Sequence, residues 1–140
     1  MTHAVTYGRV AWTHLASVSQ PEIVAEVADL LLRMERITWS FCTAFAGDRL
    51  IISLRSELTN VNCGRLLRSR IFRKEGFAGG HGQAAAGYLE VAGLTPEARE
   101  QRRLQLVERL VTAIEGRMGE PTPLIEAESP PPAPPAEPAV

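Results

Sequence analysis

The chain has 140 residues, 45% of them hydrophobic and 22% charged, and a formal net charge of -1. That length and balance suit one soluble globular domain with a buried core, and no apolar run reaches the roughly 20 residues that cross a bilayer. Removing the acids at Glu120, Glu126, Glu128 and Glu137 from the 16 leaves 12 against 15 bases over residues 1–119, mildly basic and far from a DNA-coating protein.

Residues Ala4 to Leu15 include Val5, Tyr7, Val10, Trp12 and Thr13 without a proline and read as one long strand. Ser19-Gln20-Pro21-Glu22 opens a helix, with Ser19 as cap and Glu22 completing a capping box. Ile23, Val27, Leu30, Leu31 and Met34 recur behind it at helical spacing and carry the helix over residues 20–34.

Residues 37–55 alternate as a hairpin about Gly47-Asp48. That turn sets Phe45 against Leu50, Thr43 against Ile52 and Phe41 against Leu54, so the large apolar side chains share one face. The other face pairs Ser40 with Arg55 and Cys42 with Ser53, small side chains around one arginine. Residues 63–72 make a short helix with Leu66, Leu67 and Ile71 inward. Arg65, Arg68, Arg70, Arg73 and Lys74 lie just ahead of the glycine-rich stretch, read either as a solvated face or as a phosphate-steering patch.

Gly76 to Gly87 holds five glycines in twelve residues and reads as a flexible loop or as a bare backbone able to cradle an anion. His81 is its one side chain able to hold a charge. Residues 87–91 are expected to form a short strand, and Thr95-Pro96-Glu97 starts a last helix. Leu104, Val107, Leu110, Val111, Ile114 and Met118 form its stripe, and Gly119 and Pro121 stop it. From Glu120 on, eight of 21 residues are proline, a tail expected to be disordered or extended. The fold expected is a small mixed α/β sheet with flanking helices, one domain over residues 1–119 and a tail over 120–140.

Cys42 and Cys63 are too few and too isolated for a disulfide framework and are read as reduced thiols. No secretory signal opens the chain, so a cytoplasmic location without membrane contact is expected. His14 reads as a packed strand residue, and His3 as a frayed one. No HExxH, Walker loop, GxSxG or Cys/His metal spacing is present, so neither a catalytic nor a metal-ligating set is assigned.

Ser53-Leu54-Arg55-Ser56, then Asn60-Val61-Asn62, then Gly79-Gly80-His81 followed by Ala84-Ala85-Ala86-Gly87 resembles the C-terminal DHH-associated domain of DHH-family phosphoesterases. That family includes nanoRNase/pAp phosphatases, the exonuclease RecJ and cyclic dinucleotide phosphodiesterases. The resemblance implies a nucleotide or short single-stranded RNA or DNA as partner, with Arg55 on substrate phosphate and Gly79, Gly80 and His81 forming the binding loop beside Ser53. It also implies that hydrolysis belongs to a separate Asp-His-His domain holding two manganese ions, which this chain lacks. Two departures stand in this sequence: Phe77-Ala78 replace further glycines ahead of Gly79, and the alanine run after the histidine is one residue longer than usual. A separately encoded metal domain acting in trans and a non-catalytic interaction module with a proline-rich ligand tail are the alternative readings.

Overall fold

The computed structural model describes residues 4–124. Seven strands form one sheet: β1 (Val5–Tyr7), β2 (Val10–Ser17), β3 (Trp39–Ala46), β4 (Arg49–Ser56), β5 (Gly76–His81), β6 (Ala84–Glu90) and β7 (Thr122–Pro123). Their order is β5-β6-β4-β3-β2-β1-β7. The pair β2/β3 is parallel and every other pair antiparallel, so the sheet is mixed. Parallel neighbours need a crossover, and α1 (Glu22–Leu32) supplies it. Helix α2 (Cys63–Arg65) runs on into a π-wound segment, Leu66–Phe72, and α3 (Pro96–Glu115) closes the fold. The result is the small α/β domain expected from the sequence.

The β3/β4 hairpin has the expected register: Phe45 faces Leu50, Thr43 faces Ile52, Phe41 faces Leu54, and Ser40 and Cys42 face Arg55 and Ser53. Its apolar face lies under α2, the π segment and α3, where Phe41, Leu54, Leu67, Ile71, Phe72 and Leu110 are buried in one cluster with Trp12. Trp12 stacks on Phe41 with ring centroids 5.4 Å apart. The other face receives α1 through Val24, Ala28 and Leu31, and the Ser40 hydroxyl donates to the Ala28 carbonyl at 2.6 Å. Ser40 is therefore a tie between sheet and helix.

Four local expectations change. The single strand over residues 4–15 is two strands, because Gly8 turns the chain at φ +61° and the Arg9 amide donates to Glu115 in α3. The carboxylate lies 106 residues away, so the local pattern does not announce that bond. The Ser19/Glu22 capping box does not form: Pro21 occupies the cap position without a side-chain bond, and the helix spans residues 22–32. Helix α3 starts as expected, with Thr95 accepting from the Ala98 amide, but ends at Gly116 in the left-handed conformation rather than at Gly119. Leu104 in its expected stripe is 51% exposed, and Leu106 is buried instead.

The glycine-rich stretch is the fourth. It is not a loop but the β5/β6 hairpin, turned at Gly82-Gln83 with Gly82 at φ +60°. Glycine and alanine are poor strand formers in general, and they form strands here because a helix packs on them at close range. A Cβ at Gly64 would run into the Gly80 carbonyl, so α2 rests directly on the backbone of β5. Further on, Thr122–Pro123 pair with β1 inside the stretch expected to be tail. The proline run at 130–135 and His3 lie outside the described residues.

Buried Cys42 and Cys63 are free thiols whose surroundings push their pKa values up to about 12 and about 11, so neither is a nucleophile at neutral pH. His14 shares a 2.9 Å hydrogen bond with Thr43 and sits edge-on to Phe45, a packed residue as expected. Among the described residues, no helix is long and apolar enough to cross a membrane.

Two predictions follow from the packing. Gly64→Ala forces backbone apart and is expected to cost about 1–3 kcal/mol in urea unfolding, whereas Gly79→Ala, with nothing within 4 Å of the new Cβ, is expected to change stability by under about 0.5 kcal/mol. Burial, helped by Arg103, lowers the His14 pKa to about 4. A histidine held neutral contributes stability that is complete above its ordinary 6.5 and is lost as pH falls toward 4. The unfolding midpoint is expected to drop less steeply across that window in His14→Gln than in the parent.

Candidate functional site

Directly paired strand residues point to the same side of a sheet. The registers therefore align Ser40, Arg55, Ala84 and His81 as one row across β3, β4, β6 and β5. The next row on that side is Cys42, Ser53, Ala86 and Gly79, and the one after it Ala44, Ile51, Tyr88 and Phe77. Helix α1 packs on β2, β3 and β4, so it covers one half of these rows. The other half, over β6 and β5, is built of Ala84, Ala86 and Gly79, which are exposed. A groove of about 350 Å³ opens there. Ser53, Gly79 and Ala86 line its floor, Pro21 and Val24 of the α1 end one wall, and Phe77 and Tyr88 the other. The two rings lie 5.2 Å apart, and Phe77 is 63% exposed.

Arg55 and His81 lie in the row next to the Ser53 and Gly79 floor, beside this groove rather than among the residues that line it. They are separated only by Ala84 and so by two strand spacings, about 10 Å. They do not touch. A phosphate-bearing ligand lying over Ala84 would have a cation on one side and an imidazole on the other. Arg55 is already oriented: Nε donates to Asp29 of α1 at 2.8 Å, and Nη1 donates to the Leu54 and Ala85 carbonyls at 3.0 and 3.3 Å. Its Nη2 has no partner among the described residues. Asp29 is well exposed and Arg55 mostly covered, so the guanidinium is fixed with one edge outward. Asp29 lies 26 residues from Arg55 in the chain, and only the fold brings the pair together.

The expected site residues divide by role. Gly79 forms floor, since a side chain there would fill open groove. Gly80 sits on the opposite side at φ +124°, where a Cβ would meet Ala84 and Ala85 backbone. Gly80 thus serves the packing of α2 rather than the groove. Ser53 is floor too, only 5% exposed. Strand β5 is an outer edge, so alternate main-chain N–H and C=O groups of Gly76–His81 face outward, unpaired with β6.

The β5/β6 turn is fastened to the segment ahead of α2. The Ser56 amide donates to the Gln83 carbonyl, the Cys63 amide to the Gly82 carbonyl, and Gln83 Nε2 to the Glu57 carbonyl. Asn62 caps α2 by accepting from the Arg65 amide at 2.9 Å. A further cation reaches this end: Arg68 Nη1 lies 3.1 Å from the position a Gly64 Cβ would take, the same point that abuts Gly80. The arginine cluster pointed to such a residue without distinguishing which member turns toward the hairpin. No group of three or more His, Cys, Asp or Glu side chains among the described residues could hold a metal ion.

No protein-family model matches this chain. It is 28% identical over 113 residues to an uncharacterized protein of Methanocaldococcus jannaschii, a match covering 81% of this chain and 23% of that protein. The chain thus spans about a quarter of the length of this curated relative. Among solved structures it is similar to the C-Ala domain of alanyl-tRNA synthetase from Aquifex aeolicus, with a TM-score of 0.49 and 21% identity over 74% of this chain and 96% of that one.

Proposed function

We propose that this chain is a nucleotide- and oligonucleotide-binding domain that grips substrate phosphate, in the manner of the DHH-associated domains it resembles in sequence. The observation that carries the reading is the single row Arg55–Ala84–His81 on an open face of the sheet. A phosphate over Ala84 takes charge-assisted hydrogen bonds from the free edge of Arg55 and a further one from the His81 ring. The base then lies along the Phe77/Tyr88 wall, where aromatic faces accept any base by stacking. Asp29 has a double effect in this reading, orienting Arg55 while offsetting part of its charge.

Bond cleavage is assigned to a separate DHH domain with two manganese ions. The carboxylates and histidines of the described residues do not fit such a centre, so no hydrolytic step is derived for this chain. A second reading is a subunit that works in trans with a separately encoded metal domain; the match to the archaeal relative covers 23% of that protein, so most of its length lies outside the part this chain resembles. Under that reading, manganese-dependent phosphodiesterase activity is expected only when such a domain is added to the purified chain.

Isothermal titration with pAp and with short RNA tests the assignment. Arg55→Ala is expected to weaken binding by at least tenfold, consistent with about 1.5–3 kcal/mol for a hydrogen bond to a charged group. Asp29→Asn keeps a side chain at the same place without its charge and is expected to bind as tightly as the parent or more so. Equal affinity of parent and Arg55→Ala for every ligand would overturn the proposal.

A further inference from the structure

The side of the sheet away from Arg55 and His81 carries a second opening. Where the π segment meets α3, a hollow of about 470 Å³ is lined by Trp39, Asn60, Asn62, Arg65 and Arg70. It adjoins another of about 430 Å³ that shares Ser69, Arg70 and Ala113 and extends to Arg73. We propose that this seam is a binding site for single-stranded nucleic acid, taking one base at Trp39 and the flanking phosphates at Arg65 and Arg70. It does not depend on the reading of the Arg55 groove.

Three features of the hollow carry the proposal. Trp39 begins β3 and is only partly buried, packed against the core at the end of the sheet while lining the hollow. A half-buried indole beside cations offers a stacking platform, and every base has a face to stack. Asn60 makes no side-chain hydrogen bond among the described residues, and Asn62 uses only its carbonyl oxygen, to cap α2. Together they leave amide donors and an acceptor facing the hollow, the complement of a base edge.

The charges are the third feature. Arg65, Arg68, Arg70, Arg73 and Lys74 make no ion pair among the described residues, whereas Glu75 is paired with Arg109. No carboxylate lines the Trp39 hollow, so its arginines face no internal anion. Within the neighbouring hollow, Glu108 is the one acid. The π winding contributes as well. The Ser69 hydroxyl donates to the Arg65 carbonyl at 2.6 Å, a local bond that competes with regular helical pairing. It sets Arg65 and Arg70, five residues apart, on the lining of one hollow.

The seam lies at the same end of the sheet as the Arg55 row, because Trp39 pairs with Ser56 and Ser40 with Arg55. The two sites are thus adjacent rows on opposite sides, joined by the segment 57–62.

Fluorescence titration with octauridylate tests the site directly. Trp12 is 5% exposed and stacked on Phe41, so quenching reports on Trp39, and Trp39→Phe is expected to abolish it. Octauridylate is expected to quench the parent and the Arg55→Ala variant alike. Arg65→Gln/Arg70→Gln, two exposed positions, is expected to raise the apparent Kd at least tenfold with an unchanged melting midpoint. The slope of log K against log salt should fall by about 1.4, the ion release from two single-strand phosphates. Quenching unaffected by the double variant, or equal quenching by an octaglutamate peptide, overturns the proposal. A null effect of Arg55→Ala on pAp binding with the seam still active overturns only the Arg55 reading.

Discussion

The contact on which this structure depends is the direct seating of α2 on the backbone of β5. Gly64 and Gly80 meet without side chains between them, and the Cys63 amide bonds the Gly82 carbonyl. That contact turns a run of glycine and alanine, which has little strand preference of its own, into an ordered edge hairpin. Once the hairpin is fixed, its register against β4 places His81 in line with Arg55. The apolar cluster beneath and the open groove above both follow from that placement.

The groove exists because the two halves of one sheet face are built differently. Over β3 and β4 the small Cys42 and Ala44 let α1 seat its Val24 and Ala28 closely, and Ser40 ties the helix down by its bond to the Ala28 carbonyl. Over β6 and β5 the middle of that face is Ala84, Ala86 and Gly79, between His81 at one end and Phe77 and Tyr88 at the other, and Ala86 and Gly79 line an open groove. Aromatic rings at Phe77 and Tyr88 and the cation at Arg55 therefore border a surface with room for a flat anionic ligand. Cationic groups in a concave surface raise the local concentration of such ligands.

The β3/β4 register was readable from the sequence, since a one-residue slip would have moved Phe41, Leu50 and Leu54 to the wrong side. The start of α3 was equally plain, because Thr95 and Pro96 carry local capping chemistry. Features set by distant partners were not: the Arg9 amide beside the Gly8 turn is bound by Glu115, and Arg55 is oriented by Asp29. The glycine stretch was singled out as the place to look and misjudged in form, because its strand character comes from α2 and not from its own residues. Of the site residues marked in advance, Arg55, Ser53, Gly79 and His81 share the groove side, while Gly80 faces the helix. Neither Trp39 nor Asn60 was assigned a binding role, because their meeting with Arg65 and Arg70 depends on how the 57–62 segment folds back over the sheet end.

The central claim is that Arg55 and His81, two strands apart, act on one phosphate-bearing ligand. An NMR titration of the labelled chain with pAp measures this most directly. The account predicts that the Arg55 Nε resonance, the His81 ring and the Gly79–His81 amides shift together with a single dissociation constant. Saturation of pAp binding with those signals unmoved, or with Arg55 and His81 titrating at different affinities, would contradict it.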